Sequence, residues 1–388
     1  MEVLLLKQGE MALKGLNRRT FEQILIKNIK ISLGKHEDFK IYSAQSTVYI
    51  EPKDPLYIFP VTLVEKMKKV FGIATVCRSV VCDKDFEDIK RKTMSDFKPD
   101  LEKVRSFRIN AKRSDKSFPM RTPEICTELG EYILDEFPHL KVDLHNPDIS
   151  ITAEIRDFNA FVHIDAERGA CGMPVGSNGR AMLLLSGGID SPVAGHMIAK
   201  RGVKISTVHF HSYPYTSQRA LDKVIALNEK MTPYCGTTEL FIVPFTKLQE
   251  DIKKNCREEL FTIIMRRLMM KIAYKLAQGN SCQALITGES IGQVASQTIH
   301  ALTVTDNASG IPVFRPLIGM DKEEIVQISK KIDTYETSIL PYEDCCTLFA
   351  PRHPKTRPNL TEVLLDEKGV DEQFLDDAIE MAEKRIIF

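Results

Sequence analysis

Residues 181–202, AMLLLSGGIDSPVAGHMIAKRG, pass from an apolar run through Ser186-Gly187-Gly188 straight into a helical pattern. A buried strand that gives way at once to a helix leaves free backbone N–H groups and the positive helix end beside the glycines. With no Cβ in the way, an anion can approach that backbone closely, so phosphate is the natural ligand. The pattern then repeats. Residues 183–185 read as a strand, 191–200 as a helix, VKISTVHF as a strand, 217–231 as a helix and ELFIVPF as a strand. Helical runs over 246–278 lead to ALITG, a further strand, and DKEEIVQISKKI, a further helix. Buried strands alternating with helices predict an α/β domain with a doubly wound parallel sheet, which holds ligands at the carboxyl ends of its strands.

The first part of the chain reads differently. Phe21, Ile24, Leu25, Asn28 and Ile29 fall at helical spacing, whereas KIYSAQSTVYIE and SFRINAKR alternate like strands, which predicts a small α+β half. Pro52, Pro55 and Pro60 break any continuous element and mark one boundary. RGACGMPVGSNGR, with Gly169, Gly172, Gly176, Gly179 and Pro174, marks another as a turn-rich connection. The expected division is 1–60, 61–168, a linker at 169–180, and 181–388. A chain of 388 residues, 43% of them hydrophobic, has enough apolar material for each core.

Several function classes drop out. The N-terminus MEVLLLKQGEMALKG has an early acid and no small-residue cleavage site, and no stretch has the 18 or so uncharged apolar residues of a membrane helix. A cytoplasmic protein without membrane attachment is expected. Nine cysteines without a C-x-x-C pair argue against a secreted disulfide framework and a structural zinc site, and no metal ligands are assigned. The net charge is zero, yet residues 102–121 carry seven basic side chains (Lys103, Arg105, Arg108, Lys112, Arg113, Lys116 and Arg121) against two acids. Such a run is either a solvated face or a polyanion surface. Phe107 and Phe118 bracket it, as an anchored basic strand and loop require.

The loop itself excludes two familiar chemistries. It has no G-x-x-x-x-G-K-[ST] lysine for a γ-phosphate and no G-x-G-x-x-G for a dinucleotide, while a bare Gly-Gly could also be a tight turn. His209 and His211 could be read as a metal pair, but His209 with Phe210, at a strand end, is better placed against an adenine ring. TGESIGQVASQT, residues 287–298, again ends a strand with glycine before a helix, and could close around a nucleotide or simply cap that helix.

S-G-G-x-D-S resembles the pyrophosphate loop of the N-type ATP pyrophosphatases, which cleave ATP between its α- and β-phosphates and adenylate a substrate oxygen. KRSDKSFP, SGGIDSPVAG, HFHSYPYTS, TGESIGQVASQT, RPLIGMDKEEI and LPYEDCC, in that order, resemble the tRNA 4-thiouridine synthetase (tRNA sulfurtransferase) family over essentially the entire chain. The resemblance implies N-terminal α+β ferredoxin-like and THUMP domains, the latter binding the tRNA acceptor end, followed by an adenine nucleotide alpha hydrolase-like pyrophosphate-loop domain. The implied activity adenylates O4 of a tRNA uridine and replaces it with sulfur from a cysteine persulfide, releasing AMP and pyrophosphate. Carried over by position, the ATP contacts are Leu184, Leu185, Ser186, Gly187, Gly188, Asp190, Ser191, His209, Phe210, Arg266, Gly288 and Gln297, with ATP–Mg²⁺ as substrate. Asp190 and Lys322 serve adenylation, and Cys345 carries the sulfur. The seven basic residues above become the tRNA surface. Locally, Arg266 also suits a surface helix, and Asp321-Lys322-Glu323-Glu324 an ordinary polar helix start.

Some family members carry a C-terminal rhodanese domain, for which the roughly forty residues after Cys345 are too few, so a separate cysteine desulfurase or other persulfide donor is expected. Sulfur donation to the thiamine thiazole is a second role the resemblance implies, associated with that domain in the members that have it, and is left open for this chain. Cys346 is an adjacent thiol, but neighbouring Cα atoms about 3.8 Å apart make a strained disulfide, so a partner, a small thiol or another cysteine of the catalytic domain is the expected resolving group. Whether two copies pair is left open. The segment LPYEDCC with the basic APRHPKTRP behind it reads as an exposed loop near a polyanion. Another pyrophosphate-loop synthetase, acting on a different tRNA site or on a small molecule, is the alternative, and a purely RNA-binding protein leaves the loop unexplained.

Overall fold

In the computed structural model the chain separates into two units, residues 1–172 and 173–388. The structure describes all residues but Leu16, Glu343, Asp344, Cys346, Thr347 and Ala350, and the side chains of Ala12 and Leu13 are likewise outside it. The reading of Cys346 therefore lies outside the described residues.

The first unit runs β1 (Glu2–Gln8), α1 (Arg18–Leu33), β2 (Phe39–Ala44), β3 (Thr47–Pro52), α2 (Val61–Lys69), β4 (Ile73–Cys82), α3 (Phe86–Leu101), β5 (Ser106–Arg113), α4 (Thr122–Glu136), β6 (Lys141–Val142), β7 (Ile149–Ile155), β8 (Ala160–Ile164) and β9 (Glu167–Arg168). Its strands form one sheet in the order β2-β3-β1-β4-β8-β7-β5-β6, with β9 beside β4. Leu4 and Leu6 of β1 meet Leu25 and Ile29 of α1 in one core, and Val64 and Met67 of α2 join it. Helix α2, on the far side of the three prolines, thus packs with the elements before them. Phe107 and Ile109 of β5 meet Ile89 of α3 and Ile125 and Leu129 of α4 in a second core. Long strand β4 serves both, pairing antiparallel with β1 over residues 73–80 and with β8 over residues 79–82.

The opposite face of this sheet buries Val3, Leu5, Tyr49, Cys77 and Phe161. The Tyr49 and Phe161 rings lie 5.5 Å apart although three strand spacings, about 14 Å when flat, separate β3 from β8. The sheet must therefore fold back across β1 and β4. Glu154 of β7, fully buried, sits in that fold and pairs with Lys7 from β1 and with Arg156 and His163. Burial alone would raise its pKa, but His163, Lys7 and Arg156 outweigh it and hold the carboxyl well below the usual carboxylate range. Glu154→Ala strands these cations and is expected to cost about 3–5 kcal/mol, measured by chemical denaturation followed by circular dichroism. Because the folded pKa is depressed, Glu154 contributes fully above its unfolded value of about 4.3. That contribution is lost as pH falls through the folded value, so the wild type weakens in acid and the alanine variant weakens less.

The second unit runs β10 (Arg180–Leu184), α5 (Asp190–Ala199), β11 (Lys204–His211), α6 (Gln218–Cys235), β12 (Thr238–Pro244), α7 (Thr246–Asn255), α8 (Phe261–Gly279), β13 (Ala284–Ile286), α9 (Ile299–Asp306), β14 (Val313–Phe314), α10 (Lys322–Lys331), α11 (Tyr335–Ser338), α12 (Leu360–Glu367), α13 (Glu372–Glu380) and β15 (Glu383–Ile387). Its sheet order is β14-β13-β10-β11-β12-β15, parallel except for the last strand. Strands β10, β11 and β12 step one way across the sheet and β13 lies on the other side of β10, which makes the end of β10 the switch point where such sheets open a crevice. A Cβ on Gly195 would lie 2.7 Å from Leu183 Cδ2 and 2.5 Å from Met231 Cε, so glycine lets α5 press directly on β10.

Candidate active site

Strand β10 stops where its backbone turns into the loop at residues 185–189. Ser186 N donates to Ser191 Oγ (3.0 Å), Gly188 N lies 3.3 Å from Ser186 Oγ, and Ser191 Oγ donates back to Ser186 O (3.3 Å). The two serines thus hold a ring of N–H and O–H groups over the start of α5, where its dipole is positive. A Cβ on Gly288 would stand 2.8 Å from the backbone of Asp190 and Ser191, so only glycine lets the turn after β13 lie against this loop.

Between them opens a cavity of about 580 Å³. Leu184, Leu185, Ser186, Gly188, Asp190, Ser191, His209, Phe210, Arg266, Gly288 and Gln297 all line it, and so does Cys345. Gly187 stands outside the lining, with its α-carbon turned toward the side chain of Lys223. Lys322, from the first turn of α10, is also outside the lining, but its Nζ lies 2.5 Å from Asp190 Oδ1, and Gln293 Nε2 donates to Asp190 Oδ2 at 2.9 Å. His209 Nδ1 donates to Leu185 O (3.0 Å), which fixes the ring against the start of the loop. Phe210 packs edge-on to Phe245 beside it.

Residues outside the sequence reading organise the far wall. Glu289, 4% exposed, binds Arg266, accepts from Arg315 Nε (2.7 Å) and accepts from Thr287 Oγ1 (2.8 Å). Burial opposes its charge, but the Arg266 and Arg315 guanidiniums outweigh that and keep its carboxyl below the usual range. Ser296 Oγ holds Arg266 Nη1 at 2.9 Å, so Arg266 is an oriented cation on the cavity wall rather than part of a surface helix. Lys223 is buried, with Nζ donating to Leu340 O (2.9 Å). Among these, only the glycine–glutamate turn of TGES carried a local signal.

Cys345 corrects one expectation. The sequence reading places it on an exposed loop, whereas it is 2% exposed and packed among the apolar residues of the second unit's core. Its backbone carbonyl accepts from Gln249 Nε2 at 2.9 Å. The physical reason is its company: Met265 and Met269 of α8 line the same cavity and give that thiol an apolar wall.

In the first unit the seven basic residues divide. Arg113 Nη1 donates to the carbonyls of Phe118 (3.2 Å) and Met120 (2.9 Å), and Arg108 to Leu144 O (3.1 Å) and Ser150 Oγ (3.3 Å), so both shape their surroundings. Lys112 is exposed, with its Nζ 3.8 Å from buried Glu154. Lys103, Arg105, Lys116 and Arg121 are exposed. Asp115, tied to Lys84 and to Ser117 N (2.8 Å), fixes the loop that carries Lys116.

Three family models match the chain: a ThiI ferredoxin-like domain at residues 3–77, a THUMP domain at 83–165, and Thiamine biosynthesis protein (ThiI) at 176–371. A probable tRNA sulfurtransferase of Acetivibrio thermocellus is 50% identical over 385 residues, covering 98% of each chain. The chain belongs to the ThiI family. A second ThiI relative, a probable tRNA sulfurtransferase of Alkaliphilus oremlandii, is 46% identical and covers 96% of this chain and 95% of its own. Among solved structures, a 4-thiouridine synthetase in complex with RNA and bound ATP superimposes with a TM-score of 0.91 at 38% identity, covering 100% of both chains. The ThiI assignment agrees with the mixed α/β architecture and parallel sheet described above. Among the described residues no helix is long and apolar enough to cross a membrane, and no group of three or more His, Cys, Asp or Glu side chains is placed to hold a metal ion.

Proposed function

We propose that this ThiI-family chain is an ATP-dependent tRNA sulfurtransferase that converts a tRNA uridine to 4-thiouridine. The observation that carries the reading is that one cavity is lined both by the loop at Ser186 and Gly188 and by Cys345. A nucleotide-only enzyme has no use for the second, and an RNA-binding module has no use for either.

ATP would lay its adenine against His209 and Phe210 and its phosphates over Ser186, Gly188 and Ser191 at the start of α5. The carboxylate at that end, Asp190, suits Mg²⁺ arriving with ATP, since the phosphates supply most of the oxygen ligands such a hard ion needs. Attack of uracil O4 on the α-phosphorus breaks the α–β bond, and pyrophosphate leaves past Lys322, whose charge offsets the negative charge that develops on it. The O4 adenylate makes AMP the leaving group. The terminal sulfur of a Cys345 persulfide then attacks C4, and the C4–O bond breaks with release of AMP. A second thiolate attacks the Cys345 sulfur, forming a disulfide with it and leaving the outer sulfur on C4, and a dithiol reductant restores Cys345. The persulfide comes from a cysteine desulfurase or equivalent donor in the cytoplasm. Residues 181–388 do this chemistry, and the exposed Lys103, Arg105, Lys116 and Arg121 of the 61–168 region contact tRNA phosphates.

The test is pyrophosphate release from ATP with and without unmodified tRNA. Release that depends on tRNA is expected. Release independent of tRNA favours a small-molecule synthetase, and none under either condition favours a binding module.

A further inference from the structure

We infer that Gln249 is a positioning residue that sets Cys345 for sulfur transfer, an inference that rests on Cys345 being the sulfur carrier proposed above. Gln249 lies in the first turn of α7 and is 0% exposed, between buried Leu248 and Ile252. A primary amide in such a place is costly unless both of its ends are bonded. Both are. Its Nε2 donates to Cys345 O at 2.9 Å, and its Oε1 accepts from Ser212 Oγ at 2.5 Å. The assignment follows from the partners, because a carbonyl can only accept and the amide end facing it must be the NH₂.

The two partners belong to the two halves of the proposed reaction. Ser212, itself fully buried, comes directly after β11, the strand whose end brings His209 and Phe210 to the cavity. Its backbone N–H is pinned by Thr216 Oγ1 at 3.0 Å. Gln249 Nε2 also reaches Met265 Sδ at 3.4 Å, and Met265 lines the same cavity. One side chain therefore ties the backbone of Cys345 to the strand end on the nucleotide side. Filling this space needs only an apolar residue, as its neighbours are. What the amide adds is a fixed distance between the cysteine backbone and the place where the adenylated uracil has to sit. A misplacement of about 1 Å at such a centre costs on the order of 10²-fold in rate.

The experiment uses the full-length protein, an unmodified tRNA transcript, ATP, and Cys345 loaded by a cysteine desulfurase with cysteine. For Gln249→Leu, tRNA-dependent pyrophosphate release should stay within about twofold of wild type and mass spectrometry should find the added sulfur on Cys345. Single-turnover 4-thiouridine formation should fall about 10²-fold. Ser212→Ala, which frees the amide without removing it, should give the same split to a smaller degree, about tenfold, and stands in if Gln249→Leu does not fold. Wild-type sulfur transfer in both variants overturns the inference, and so does an equal loss of pyrophosphate release and sulfur transfer, which a merely structural role would give. Cys345→Ser separates the two ideas. Full 4-thiouridine formation in that variant overturns the carrier reading itself, whereas an inactive Cys345→Ser beside a wild-type Gln249→Leu overturns only the role of Gln249.

Discussion

Cys345→Ser is expected to lower 4-thiouridine formation by roughly 10³-fold or more, the scale on which loss of a covalent nucleophile acts, while tRNA-dependent pyrophosphate release continues. The hydroxyl of serine cannot carry a sulfane sulfur, so the adenylated uridine forms and has nothing to react with. It then reverts by hydrolysis, and ATP is consumed without product. The two readouts are nucleoside analysis of the digested tRNA and a coupled pyrophosphate assay. Loss of both activities together would mean that the thiol, 2% exposed against the cavity wall, matters for the shape of the nucleotide site rather than for sulfur.

Asp190→Ala and Lys322→Met should each lower pyrophosphate release by about 10²–10³-fold, as removal of one preorganised charged group at a reacting centre does. Their side chains touch, with Lys322 Nζ 2.5 Å from Asp190 Oδ1, so they act as a unit and the double variant should be little worse than either single one. Gln293, on the other carboxylate oxygen, keeps Asp190 aimed when Lys322 is gone, and Lys322→Arg should therefore recover part of the rate. Additive losses in the double variant would show that the two residues serve separate steps. Steady-state rates at saturating ATP, with KM measured alongside, distinguish lost chemistry from lost binding.

Much of this site was legible because its signals are local. The loop at residues 185–191 announces itself by glycine and serine within one turn, and SFRINAKR coincides with β5 residue for residue. Strands β10, β11 and β12 could be read because strands buried on both faces are continuous apolar runs. The resemblance placed His209, Phe210, Gly288 and Gln297, which the fold brings to one cavity from separate strands and loops. The partners of buried polar groups could not be read. Glu289 finds Arg266 twenty-three residues away and Arg315 twenty-six residues away, and Gln249 finds Cys345 ninety-six residues away. No periodicity encodes such pairs, since each is fixed only when the sheet assembles. The same holds for Cys345, which the polar composition of LPYEDCC assigned to an exposed loop, whereas it packs in one core with methionines of α8. Among the basic residues, composition counts charge but not its engagement, so Arg113 and Lys116 looked alike until Arg113 was found holding the carbonyls of Phe118 and Met120.

Strand β4 carries a consequence for how the first 172 residues came to work together. The ferredoxin-like match ends at residue 77 and the THUMP match begins at 83, so this strand bridges two sequence families while its edges are spent on β1 and β8. Neither neighbour can be cut away without baring an edge that would recruit another chain. The two modules are thus welded into a single cooperative folding unit, and their amides should exchange with solvent through one shared opening rather than two.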